Sequence, residues 1–77
     1  MPNKIIIDAR NMACPGPVTK VVRAYRKASN GDIIEVHATD PGFKPDIKSW
    51  IEKTGNELVE LKEEDGIIKA IIRVTAK

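Results

Sequence analysis

The sequence predicts an α/β (α+β) two-layer sandwich, in which a four-stranded mixed sheet carries two helices on one face. Three observations predict it. The chain has 77 residues, which allows a single domain, residues 1–77, and leaves no room for a second. Runs of β-branched residues alternate with segments whose apolar residues recur at spacings of three and four, in the order β-α-β-α-β-β. The last two runs are joined by Glu63-Glu64-Asp65-Gly66, and an Asp-Gly pair in a short loop marks a hairpin.

The first strand is Lys4 to Asp8, and its three isoleucines leave open which face points inward. A helix from Pro15 to Ser29 follows. Pro15 and Pro17 suit a first turn, where backbone N–H groups have no partner. Val18, Val21, Val22, Tyr25 and Ala28 form its apolar stripe, and Asn30-Gly31 ends it. From Asp32 to Ala38 the chain alternates, with Ile34, Val36 and Ala38 on one face and Ile33, Glu35 and solvated His37 on the other. Thr39-Asp40-Pro41-Gly42 turns into a second helix carrying Phe43, Ile47, Trp50 and Ile51 and stopped by Thr54-Gly55-Asn56. Glu57 to Lys62 and Ile67 to Thr75 are the closing strands. The expected core is Ile5, Ile7, Val21, Val22, Ile34, Val36, Ile47, Ile51, Val59, Leu61, Ile68, Ile72 and Val74, with Trp50 in the core or capping it.

Composition excludes several classes. Hydrophobic residues at 42% and charged residues at 31% are those of a globular chain. A net charge of +2 is too small to demand a nucleic acid or a membrane. A membrane-spanning helix needs about 20 apolar residues, and no such stretch exists. No signal peptide is evident, so the expected compartment is cytoplasmic. One cysteine, Cys14, and one histidine, His37, rule out an intramolecular disulfide and a closed zinc site. No cofactor or metal is expected.

Cys14 stands outside the apolar stripe, at or beside the start of the first helix. A lone cysteine is often a small buried hydrophobe, but this position favours a reactive thiol. A helix N-terminus carries roughly half a positive charge, which stabilises a thiolate or a persulfide anion. With Cys14 as N-cap, Pro17 has no N–H to offer, so Gly16 is the main local donor. Gly16 also leaves access open to another protein. Arg10 and Lys44 are candidates for added positive potential. A hydrolytic Cys-His pair would need His37 to approach in space, and self-contained dithiol redox chemistry lacks a second thiol.

The Asp40-Pro41-Gly42-Phe43 turn admits two readings, a simple connection or a docking surface with Phe43 as a partly exposed anchor. Lys20, Arg23, Arg26 and Lys27 make the first helix basic, which fits a solvated face or docking to acidic partners.

Ile7-Asp8-Ala9-Arg10 followed by Cys14-Pro15-Gly16-Pro17-Val18 resembles the TusA-type, SirA-like sulfur carrier family with its Cys-Pro-x-Pro motif. Gly31-Asp32 through Val36, Ala38-Thr39-Asp40-Pro41, Asp46-Ile47 with Trp50, and Gly55-Asn56-Glu57-Leu58 extend the resemblance along the chain. It implies the same sandwich, and sulfur carried on Cys14 as a persulfide or thiosulfonate. It also implies a covalent carrier acting with partner enzymes rather than alone. The implied donors are a cysteine desulfurase, a rhodanese or a DsrE-like protein. The implied acceptors belong to tRNA thiolation, cofactor assembly or dissimilatory sulfur metabolism. A monomer without nucleic acid is the expectation. Asn11 stands where the family often has glycine, and asparagine tolerates positive φ. The alternative is a non-catalytic RNA- or protein-binding module of the same fold, although three aromatic residues offer no base-stacking platform.

Overall fold

The structure, a computed structural model, describes residues 3–12 and 16–77. Its elements are β1 (Lys4–Ala9), α1 (Gly16–Lys27), β2 (Ile33–Ala38), α2 (Phe43–Thr54), β3 (Glu57–Glu64) and β4 (Ile67–Arg73). The strands are ordered β1-β2-β4-β3 in one sheet. β1 and β2 are parallel, and β4 lies antiparallel between β2 and β3. This is the expected mixed sheet with two helices. Among the described residues, no helix is long and apolar enough to cross a membrane.

Register settles the face that the three isoleucines left open. Ile5, Ile7 and Ala9 align with Ile34, Val36 and Ala38 of β2, and those with Ile72, Ala70 and Ile68 of β4. Apart from half-buried Ile5, these side chains are buried, together with Val21, Ala28, Phe43, Ile47 and Val74. Each isoleucine removed from water in this layer contributes roughly 1.5–3 kcal/mol. Ile6 points to the opposite, helix-free face and is 64% exposed.

The expected core needs three corrections. Val59 is 48% exposed, because the register shifts between Leu58 and Glu60. That bulge inserts an extra residue and reverses the alternation. Leu58 therefore packs on the core beside Leu61, and Val59 does not. Ile51 and Leu61 are half-buried against the core, and Val22 is half-buried. Ala9, Ala38, Ala70 and Phe43 are wholly buried although not expected there. Small residues in the facing strands leave room for the two helices.

The ends of elements follow local chemistry. α1 stops at Lys27, two residues before the expected Ser29, and its expected first residue, Pro15, lies outside the described residues. Asp32 causes the early stop. Its carboxylate accepts the N–H groups of Ser29 at 2.9 Å and Asn3 at 3.1 Å, fixing a turn through Gly31 at φ 95°. Gly55 caps α2 in the left-handed conformation at φ 81°, its N–H bonded to Ile51 O. The hairpin loop is tighter than expected. Asp65 and Gly66 both have positive φ, at 53° and 77°, as a two-residue type I′ turn requires. Tyr25 and Trp50 meet edge-on at 5.3 Å and join α1 to α2. Trp50 is thus a half-buried cap over the core, as one of its two readings held.

His37 is not simply solvated. Its Nε2 lies 2.7 Å from Glu35 Oε2, and Lys4 Nζ lies 3.0 Å from Glu35 Oε1. Glu35 is buried on the helix-free face, where period-two alternation had placed it in solvent. The hydrogen bond to His37, then the one to Lys4, hold its carboxyl below the usual range.

Candidate functional site

The parallel strands β1 and β2 end side by side, and both connections to the helices leave from that rim. In parallel α/β layers this is where ligands and partners are met. After β1 the chain passes Arg10, Asn11 and Met12 and reaches α1 at Gly16. Cys14 and Pro15, two of the expected site residues, lie outside the described residues. By sequence, Cys14 stands two residues before α1.

The described rim begins with a local cluster of bonds. Asp8 at the end of β1 binds Arg10 three ways: Nε at 2.9 Å, a terminal guanidinium nitrogen at 3.1 Å and the backbone N–H at 3.2 Å. The Arg10 side chain, then its backbone N–H, lower the Asp8 carboxyl to about 2. The same pairing raises Arg10 above its ordinary value. Asn11 follows at φ 64°, a left-handed conformation that asparagine tolerates. Its N–H donates to Thr39 Oγ1 at 2.9 Å. That bond ties the connection carrying Cys14 to the end of β2. Sequence reasoning gave Thr39 no part, although a hydroxyl next to an Asp-Pro turn is a usual backbone-capping signal.

The second connection places the other expected residues. Asp40 Oδ1 accepts the N–H of Gly42 at 3.0 Å, and Asp40 O accepts that of Phe43 at 3.0 Å. Asp40 thus shapes the turn into α2. Phe43 is wholly buried, which corrects the expectation of a partly exposed docking anchor. An aromatic ring this large beside the sheet gains more from burial than from waiting for a partner. Lys44 forms an ion pair with Glu63 at the end of β3, so its charge is balanced within the chain.

Around Gly16 and Pro17 the helix start is packed. Pro17 is fully buried. A Cβ on Gly16 would lie 3.0 Å from Met12 Cε, so a side chain there would push the tip of Met12 aside by a few tenths of an ångström. The first turn of α1 contains no acidic residue. The Asp8, Asp40 and Glu63 carboxylates are each held by a cation or an N–H, and Asp46 of α2 shares a cleft with Val18 of this first turn. The N-terminus of α1, with no carboxylate in its own first turn, favours an anion. Among the described residues, no group of three or more His, Cys, Asp or Glu is arranged to hold a metal.

Comparison with known proteins agrees with this geometry. The family profile described as Sulfurtransferase TusA matches residues 5–74. Sulfur carrier protein TusA of Allochromatium vinosum is 37% identical over 67 residues, covering 87% of this chain and 88% of its own. YrkI of Bacillus subtilis is 39% identical over 64 residues, covering 83% of this chain and 85% of its own. The crystal structure of a SirA-like protein from Desulfitobacterium hafniense superposes with a TM-score of 0.82 at 26% identity, covering 92% of this chain and 97% of that one. Over residues 5–74, this chain belongs to the TusA family of sulfur carrier proteins.

Proposed function

We propose that Cys14 carries sulfane sulfur between protein partners. The Cys14 thiolate attacks the outer sulfur of a donor persulfide. A new S–S bond forms on Cys14, the donor's S–S bond breaks, and the electron pair leaves with the donor thiolate. An acceptor thiolate then repeats the exchange and releases Cys14 as thiolate. No external oxidant or reductant enters either step. A thiosulfonate moves by the same exchange from a donor cysteine that already carries it.

One observation carries this reading: the chain's single thiol stands two residues before a twelve-residue helix whose first turn holds no carboxylate. The helix start favours the anion, and the Asp8, Asp40 and Glu63 carboxylates are each held by a cation or an N–H. Gly16 is the proposed local N–H donor, flanked by Pro15 and Pro17. Asp40 shapes the neighbouring connection, and Arg10 and Lys44 add local dipoles rather than unbalanced charge. Family membership supports a carrier that works with other proteins, with a cysteine desulfurase, a rhodanese-like or a DsrE-like protein as donor.

The test of activation is the pH dependence of Cys14 alkylation. The expected midpoint lies below the ~8.5 of an unperturbed cysteine. A midpoint at or above that value contradicts an activated thiol.

A further inference from the structure

The two edges of the sheet differ in kind. The β3 edge carries a bulge at Val59 and a run of charges from Glu57 to Glu64, the usual devices against strand pairing. β1 carries neither bulge nor proline, and its register with β2 is unbroken from Lys4 to Ala9. Ile33 N–H donates to Asn3 O at 2.8 Å. By the alternation of a parallel ladder, Ile5, Ile7 and Ala9 also turn their backbone groups to β2, and Lys4, Ile6 and Asp8 turn theirs to the free edge. Lys20 Nζ reaches Asp8 O at 3.4 Å from that side. Among the described residues, nothing else bonds these outward groups.

A groove of about 440 Å³ runs along this edge, lined by Ile6, Ile7, Asp8, Lys20 and Arg23. Its one carboxylate, Asp8, is held by Arg10. Among the described residues, Lys20 and Arg23 enter no salt bridge, so the α1 side of the groove is cationic. The other side presents Ile6, 64% exposed.

We propose that the free edge of β1 is a strand-addition site for an extended acidic segment of a protein partner. Its backbone pairs with Lys4 and Ile6. Its side chains alternate, carboxylates toward Lys20 and Arg23 on the α1 side, apolar groups against Ile6 on the helix-free side. A second copy of this chain fits less well. It would bring its own Lys20 and Arg23 to the same edge, cation against cation. The inference rests on the β1 edge alone and holds whether or not Cys14 carries sulfur.

The test titrates the full-length, ¹⁵N-labelled protein with a capped hexapeptide alternating glutamate and valine, and with its lysine-valine counterpart, into the millimolar range. The acidic peptide is expected to shift the amide signals of Lys4, Ile6 and Asp8 and to slow their hydrogen exchange by roughly tenfold. The basic peptide shifts none. Lys20→Glu and Arg23→Glu, both at exposed positions, weaken the acidic peptide by roughly tenfold each. Cys14→Ser leaves binding unchanged. Equal binding of the two peptides, shifts confined to other strands, or no saturable shift overturns the proposal. So does protection of Ile6 that rises with protein concentration in the absence of peptide.

Discussion

The two ends of the sheet are held in different ways. At the end opposite the β1–α1 connection, side chains clamp the C-terminal tail over long sequence separations. Buried Asn56 Oδ1 accepts the N–H groups of Thr75 at 3.0 Å and Ala76 at 3.1 Å. Tyr25 Oη donates to Ala76 O at 2.9 Å, Asn30 Oδ1 accepts Lys77 N–H at 2.9 Å, and Lys77 Nζ reaches Ala28 O at 2.8 Å over the Tyr25 ring. Asp32 holds Asn3 and Ser29 at the same end. At the rim of the β1–α1 connection, Asp8 with Arg10 and Asp40 with Gly42 are local bonds, and Lys44 with Glu63 is an ion pair between α2 and β3. Among the described residues, the bond from Asn11 to Thr39 joins the two connections. Global stability thus resides in the core and the clamped end. The rim is left to present its loops to partners, the usual division between scaffold and site.

Four substitutions break or sharpen this contrast, in order of expected effect. Phe43→Ala empties the one large buried ring beneath the rim and is expected to cost about 3–5 kcal/mol in urea unfolding. A smaller loss would mean that the rim does not share the core. Asn56→Ala strands two tail N–H groups and is expected to cost about 1–3 kcal/mol, with sulfur loading of Cys14 unchanged. Equal damage to loading would couple the two ends.

The third acts through pH. Asp8 and Asp32 both have lowered carboxyl pKa values in the folded chain, Asp8 at about 2. Their stabilisation is therefore present above the unfolded value, about 3.9, and is lost as pH falls through the folded values. Asp8→Asn is expected to flatten the fall in unfolding midpoint between about pH 4 and pH 2. An unchanged acid profile would contradict the Asp8–Arg10 pairing. The smallest effect is expected from Val59→Thr. On the bulge it should change stability by under about 0.5 kcal/mol, whereas a core valine at strict alternation would cost several times more.

The sequence carried the fold well wherever a local rule operated. Period-two and period-three-to-four patterns placed all six elements, Asp65-Gly66 marked the hairpin, and Asn11 was read as tolerant of the positive φ it adopts. What it missed were long-range effects. The bulge that turns Val59 outward is a property of the β3–β4 pairing, not of either strand alone. Glu35 looked solvated because its partners, Lys4 and His37, meet it only across or along the folded sheet. Phe43 allowed two readings, since its spacing from Ile47 set it on the apolar stripe while its place beside a Pro-Gly turn suited an exposed anchor, and burial decides for the first. At the rim, the Cys-Pro-Gly-Pro run and the Asp-Pro-Gly turn were legible as motifs. The Asn11–Thr39 and Lys44–Glu63 contacts were not, since each joins segments far apart in the chain.

Carriage of sulfur on one named atom can be weighed. Wild type and Cys14→Ser are incubated with a persulfidated rhodanese, separated from it, and measured as intact proteins, with the modified peptide then sequenced. The wild type should gain the mass of sulfur on the peptide containing Cys14, and lose it again to an added thiol, while Cys14→Ser gains none. No gain by the wild type, or an equal gain by Cys14→Ser, would contradict a sulfur-carrying role for Cys14.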